Sequence, residues 1–162
     1  MADTGSVTLF SNRSERFVPR TAFSQATDGV PGANEAGDRF GYSLTFGHGA
    51  TTLLVGIPTE NVGSVVNAGA VQPVRVPGTQ SPLQFLPAII ENANGTAGAL
   101  GAGNQFGRSL AALSGQSEDL LTISSVYAGT GYVYVLSGEP DAAPRSWVPA
   151  AGAGRFGWAV TN

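Results

Sequence analysis

Short runs of apolar residues alternate with polar ones along most of the chain. From Phe40 to Phe46, Phe, Tyr, Leu and Phe fall on every second position against Gly, Ser and Thr. That period of two predicts a strand with one face turned inward. Thr51 to Ile57 is mostly apolar, as expected of a strand covered on both faces, and Pro58 ends it. Gly69 to Val76 predicts a third strand, and Leu83 to Leu86 begins a fourth. Strands joined in series like this predict an antiparallel meander. The order then returns with Phe106 to Ala112, Glu118 to Ile123, Gly131 to Leu136 and Ser146 to Val148. Upstream, Gly5 to Phe10 and Arg16 to Phe23 predict two more strands. Pro19 suits the second of these to a sheet edge, because proline cannot donate to a ladder. Residues 24–38 read as a loop. Helix is not expected: the Ala/Gly run over residues 97–103 holds too many glycines, each costing about 1 kcal/mol in a helix.

One stretch is written three times. Asp38-Arg39-Phe40-Gly41-Tyr42-Ser43-Leu44 is echoed by Asn104-Gln105-Phe106-Gly107-Arg108-Ser109-Leu110 and by Gly154-Arg155-Phe156-Gly157-Trp158-Ala159-Val160. The phenylalanines stand 66 and 50 residues apart, spacings typical of blades or solenoid units. Each Phe-Gly pair opens the first strand of a unit. In sequence order the strands therefore read 3-4, then 1-2-3-4, then 1-2-3-4, then 1.

Composition narrows the functional classes. Of the 162 residues, 12% are charged, all the basic ones are arginine, and the net charge is -3. No basic cluster exists to neutralise phosphates, which disfavours nucleic-acid binding. No apolar run approaches the ~20 residues of a membrane-spanning helix. The absence of cysteine removes disulfides, thiol catalysis and thiolate metal sites together. The 23 glycines and 10 prolines, scattered between short apolar runs, fit an all-β chain rich in turns. The first residues show no charged and apolar leader, so no signal peptide is expected in this segment.

Phe-Gly opening a first strand, then Leu53-Leu54-Val55-Gly56-Ile57-Pro58, then Gly69-Ala70-Val71, resembles the FG-GAP repeat. That repeat builds the β-propeller of integrin α-subunits and of many secreted bacterial proteins. The likeness runs from Gly5 to Asn162 and is weaker in the second unit, where Ile123-Ser124-Ser125 replaces Gly-Ala-Pro. It implies an all-β fold of four-stranded antiparallel blades, with a partial blade over residues 5–23, blades over 40–90 and 106–148, and a partial blade over 154–162. In mechanical terms, Phe fills the space between blades, Gly admits a close neighbour, and Pro fixes the chain's exit. The resemblance also implies an extracellular, non-catalytic module that recognises a protein or glycan through its loops. The alternatives are an accessory propeller domain of a secreted hydrolase, or a structural repeat of an adhesive surface protein. Two full and two partial blades do not close a ring, which takes roughly four to eight. Further blades, or a second copy of the chain, are therefore expected to complete it.

Many FG-GAP proteins bind calcium through Asp-x-Asp-x-Asp-Gly loops. The corresponding loops are Gly47-His48-Gly49-Ala50 and Leu113-Ser114-Gly115-Gln116-Ser117-Glu118. Calcium needs six to eight oxygens, several of them carboxylate, so no metal or cofactor is expected. No catalytic residue is assigned either. Gly152-Ala153-Gly154-Arg155-Phe156-Gly157 fits G-x-G-x-x-G but lacks the strand–helix context of a dinucleotide site. His48, the lone histidine, has no nucleophile elbow to serve, and Glu118-Asp119 reads as a solvated turn. Arg39, Arg108 and Arg155 flank the three Phe-Gly pairs and suit either an anion or carbohydrate surface or salt bridges between units. Tyr42, Tyr132, Tyr134, Trp147 and Trp158 suit either sugar stacking or packing. Asn12-Arg13-Ser14 and Asn94-Gly95-Thr96 match the glycosylation sequon.

Overall fold

A computed structural model describes residues 2–47, 51–78, 81–93, 99–114, 119–127, 130–137 and 145–147. Among these the secondary structure is entirely β, in three antiparallel sheets. β1 (Val7–Arg13) pairs with β2 (Arg16–Phe23). β3 (Ser43–Gly47), β4 (Thr52–Ile57), β5 (Ala70–Arg75) and β6 (Gln84–Phe85) form a four-stranded meander in chain order. β7 (Leu110–Ser114), β8 (Asp119–Tyr127), β9 (Thr130–Ser137) and β10 (Arg145–Trp147) form a second.

β4 is buried on both faces, as its unbroken apolar run predicts. Leu53, Val55 and Ile57 enter one core with Val7, Phe23, Phe40 and Val74. Leu54, pointing the other way, enters a second core with Val71, Phe106, Leu110, Ile123 and Tyr134. One strand thus serves two cores, each lying between neighbouring sheets. Edge-to-face aromatic pairs stiffen both: Phe23 with Phe40 at 5.8 Å, and Phe106 with Tyr134 at 5.3 Å.

Proline is handled differently in its two strands. Pro19 lies in β2, which pairs only with β1 among the described residues, and the ladder shifts register just beside it. Pro73 lies inside β5, between β4 and β6, where a missing N–H would orphan a carbonyl. The Leu86 N–H donates to the Pro73 carbonyl at 3.1 Å, but Pro73 has no N–H to return. The buried Gln72 side chain supplies that donor, its Nε2 reaching the Leu86 carbonyl at 2.6 Å.

Two expectations about the Phe-Gly stretch are corrected. Phe40 and Phe106 do not lie within strands; the strands begin three or four residues later, at Ser43 and Leu110. The alternation from Phe40 to Phe46 also turns only its first large residue, Phe40, inward. Tyr42, Leu44 and Phe46 are exposed, while Ser43, Thr45 and Gly47 are half-buried. The reason is that β3 lies against β7 through its small-residue face. The third Phe-Gly copy, with Arg155 and Trp158, lies outside the described residues. So do His48, Glu118, the Asn94-Gly95-Thr96 sequon and the side chain of Trp147.

Candidate functional site

The most elaborate local structure is the junction between successive sheets, and it is built twice. Gly5 forms a parallel bridge to Phe40, and Gly69 forms the same bridge to Phe106. The Phe40 N–H donates to the Thr4 carbonyl at 2.9 Å, and the Phe106 N–H to the Ala68 carbonyl at 2.9 Å. Arg39 N–H to Asp3 carbonyl (3.1 Å) is matched by Gln105 to Asn67 (3.2 Å), and Gly37 to Ala2 (3.1 Å) by Gly103 to Val66 (3.0 Å). Each Phe-Gly dipeptide is therefore a stitch. Its phenylalanine fills the core between two sheets while its backbone ties one sheet to the lead-in of the previous one.

The glycine of the stitch is required by conformation and by space. Gly41 and Gly107 have φ of 88° and 83°, a region costly for residues with a Cβ. A Cβ on Gly41 would come within 2.9 Å of Val7 Cγ2, and one on Gly107 within 2.6 Å of the Ala70 carbonyl oxygen. Gly56 is needed for a different reason. Its Cα faces the next sheet so closely that a Cβ would meet the Gly107 carbonyl oxygen and Ser43 Oγ, both at 2.1 Å. Ser43 Oγ donates to that same carbonyl at 2.7 Å.

Polar side chains brace each stitch from the loop side. In the first, Gln25 Nε2 donates to Glu60 Oε2 at 2.6 Å, Asp38 Oδ2 accepts the Glu35 N–H at 2.6 Å, and Thr59 Oγ1 donates to the Asp38 carbonyl at 2.9 Å. Burial pushes the Glu60 carboxyl up to about 7; the Gln25 hydrogen bond opposes this, and the charges of Asp38 and Glu35 add to it. Asp38 is also raised, again chiefly by burial, partly offset by the Glu35 N–H. In the second stitch, buried Glu91 accepts from Asn104 Nδ2 and, at 2.7 Å, from the Tyr134 hydroxyl. Burial and that bond to Glu91 raise Tyr134 far above the ordinary tyrosine range. Asn104 thus occupies in the second copy of the motif the place Asp38 holds in the first.

Among the concavities bordered by described residues are two near the first sheets. One, of about 590 Å³, is bounded by Arg20, Thr27, Ser81, Leu83 and Phe85. Its arginine is committed to the loop, donating to the carbonyls of Gly78 at 3.1 Å and Ser81 at 2.8 Å. The other, of about 400 Å³, is an apolar groove between β1 and the β3–β4 pair, lined by Val7, Leu9, Phe10, Leu44, Phe46 and Leu53.

Of the residues singled out from the sequence, those described meet in two separate pairs, Arg108 with Tyr42 and Tyr132 with Tyr134. Arg39 is exposed, whereas Arg108 lies 5.4 Å over the ring of Tyr42 and donates to Gln105 Oε1 at 2.6 Å. Tyr134 is buried in the second core, with Tyr132 stacked on it at 6.2 Å, so packing is the role these two fill. Among the described residues no three His, Cys, Asp or Glu side chains gather to hold a metal ion. No helix among them is long and apolar enough to cross a membrane. The sequence reading missed the partners of the stitch, although the matching Gly5-Ser6-Val7 and Gly69-Ala70-Val71 were a signal for them. Compared with known proteins, the chain matches no family model and no curated protein.

Proposed function

We propose that this chain is a non-catalytic scaffold of the FG-GAP propeller type, whose repeated sheets present loops to a protein or glycan partner outside the cell. One observation carries this reading: the parallel bridge and three backbone hydrogen bonds of the junction recur at the two Phe-Gly pairs that lie within the described residues. A repeated junction is what a modular array of sheets requires, because each unit leaves a face that only its neighbour buries. The buried polar side chains of Asp38, Glu60, Glu91 and Asn104 brace the stitches.

The test is to screen the full chain on arrays of glycans and extracellular proteins, beside a panel of glycosidase, esterase and peptidase substrates. Saturable binding without turnover is the expected result. Turnover of any substrate by the purified chain overturns the non-catalytic reading, and no binding to either array overturns the recognition role.

A further inference from the structure

The two stitches are braced by carboxyl groups in unlike surroundings. In the second, buried Glu91 is met by two side-chain donors, Asn104 Nδ2 and, at 2.7 Å, the Tyr134 hydroxyl. In the first, buried Glu60 has one side-chain donor among the described residues, Gln25 Nε2 at 2.6 Å. The other end of that amide, Gln25 Oε1, is buried without a hydrogen-bond partner among them. The charges that act on Glu60 are both negative, Asp38 and Glu35, and no arginine among the described residues offsets them. Gly32 closes over the pair, so that a Cβ there would come within 2.9 Å of Glu60 Oε1 and 3.2 Å of Gln25 Nε2. The first stitch is thus short of donors and cations and rich in acceptors, an environment that suits a neutral carboxyl and penalises an ionised one.

The same carboxyl fastens a loop. Residues 24–38 lie against the turn after β4, which carries Thr59, Glu60 and Asn61. Toward the end of the loop, Asn61 Nδ2 donates to Glu35 Oε2 at 2.8 Å, and Thr59 Oγ1 donates to the carbonyls of Gly37 and Asp38. Toward its start, Gln25 to Glu60 is the one hydrogen bond to that turn among the described residues.

We propose that the loop over residues 24–38 is a clasp operated by pH. It is held against the turn after β4 while Glu60 keeps its proton, and is released, with the second stitch still closed, when that proton leaves. The window follows from the direction of the shift. Closed, the Glu60 carboxyl keeps its proton up to about 7, against 4.5 for a freed one. Opening therefore becomes easier as pH rises from 4.5 to about 7, and levels off above. Asp38, raised chiefly by burial, acts in the same direction. The clasp does not rest on the proposed recognition role.

The experiment is amide hydrogen exchange of the full chain from pH 4.5 to 8, corrected for the intrinsic rate at each pH. It compares the loop amides of Thr27, Glu35 and Gly37 with those of Gly103 and Gln105 in the second stitch, all of which donate hydrogen bonds in the closed form. The ratio of loop protection to second-stitch protection should fall about tenfold by pH 7 and then stay level, as local opening coupled to loss of one proton requires. In E60Q the ratio should be constant across the range. A flat wild-type ratio overturns the proposal, whether both sets of amides hold or both lose protection together, and that result needs no variant to fold. A fall that E60Q retains overturns it as well, because the proton then leaves another group.

Discussion

Replacing Glu60 by Gln should make the protein more stable at neutral and alkaline pH, and should remove a pH dependence that the wild type carries. Glu60 is buried beside Gln25, and its carboxyl is raised from 4.5 to about 7. The folded state therefore holds the Glu60 proton over a pH window in which the unfolded chain has released it. When the native state binds more protons, unfolding becomes easier as pH rises. The contribution is complete below 4.5 and is lost as pH climbs to about 7. At about 1.4 kcal/mol per unit the full window would cost roughly 3 kcal/mol, which solvent screening reduces to about 1–3 kcal/mol. Asp38, shifted in the same direction, adds to the same slope.

Glutamine keeps the shape and the acceptor for Gln25 Nε2. Its amide also offers a donor beside Gln25 Oε1, which has no hydrogen-bond partner among the described residues. Urea unfolding followed by circular dichroism, at half-unit steps from pH 4 to 8.5, measures the effect. The two proteins should have similar stability near pH 4.5 and diverge by about 1–3 kcal/mol at pH 8, the variant being the more stable. If E60Q keeps the wild-type slope, or is the less stable protein at pH 8, the assignment of Glu60 as a buried, destabilising charge is wrong.

Three further substitutions test the stitches and the sheet by the same denaturation assay. Gly56→Ala should cost about 3 kcal/mol or prevent folding, because its methyl has no room against the Gly107 carbonyl and Ser43; a loss under about 1 kcal/mol would mean that the sheets part easily. Tyr134→Phe should cost about 1.5–3 kcal/mol by removing the hydroxyl donor from the buried Glu91 carboxyl, and an unchanged midpoint would show that the bond contributes nothing net. Gln72→Leu should cost about 1–3 kcal/mol by orphaning the Leu86 carbonyl beside Pro73; Gln72→Leu combined with Pro73→Val, which restores the N–H, should recover part of that loss.

The strands were legible in the sequence because period and punctuation agree there. Thr52–Ile57 and Ala70–Arg75 emerge nearly as read, between Gly and Pro, whereas Val7–Arg13 starts as read and runs three residues past the expected end at Phe10. The face of β3 was not legible, for a reason that lies outside the strand. A period of two says that two faces differ, but not which one meets the core. Leu44 and Phe46 are apolar and exposed because the sheet on the other side takes small residues in order to approach closely. That choice is made by Gly56 and Gly107, 12 and 63 residues beyond Leu44. The bracing acids were equally hidden. Asp38 and Glu60 look like ordinary loop carboxylates, and only the fold places Gln25 beside Glu60.

The stitch also moves the boundary of the repeat. Read along the chain, Phe-Gly opens a unit, and the natural cut falls just before it. In the structure the Phe40 ring belongs to the core between β1–β2 and β3–β6, and the backbone ahead of it is bonded to residues 2–4. Phe106 stands in the same relation to residues 66–68 and to the core between the two meanders. Neither sheet carries a complete core of its own, because Leu53 and Leu54, adjacent on β4, are buried against different neighbours. The stable unit is therefore a junction with half a sheet on each side, and removing one sheet strips the next of a face. Leu110, with the β3–β4 hairpin against it, is 8% exposed, and losing that hairpin would bare it.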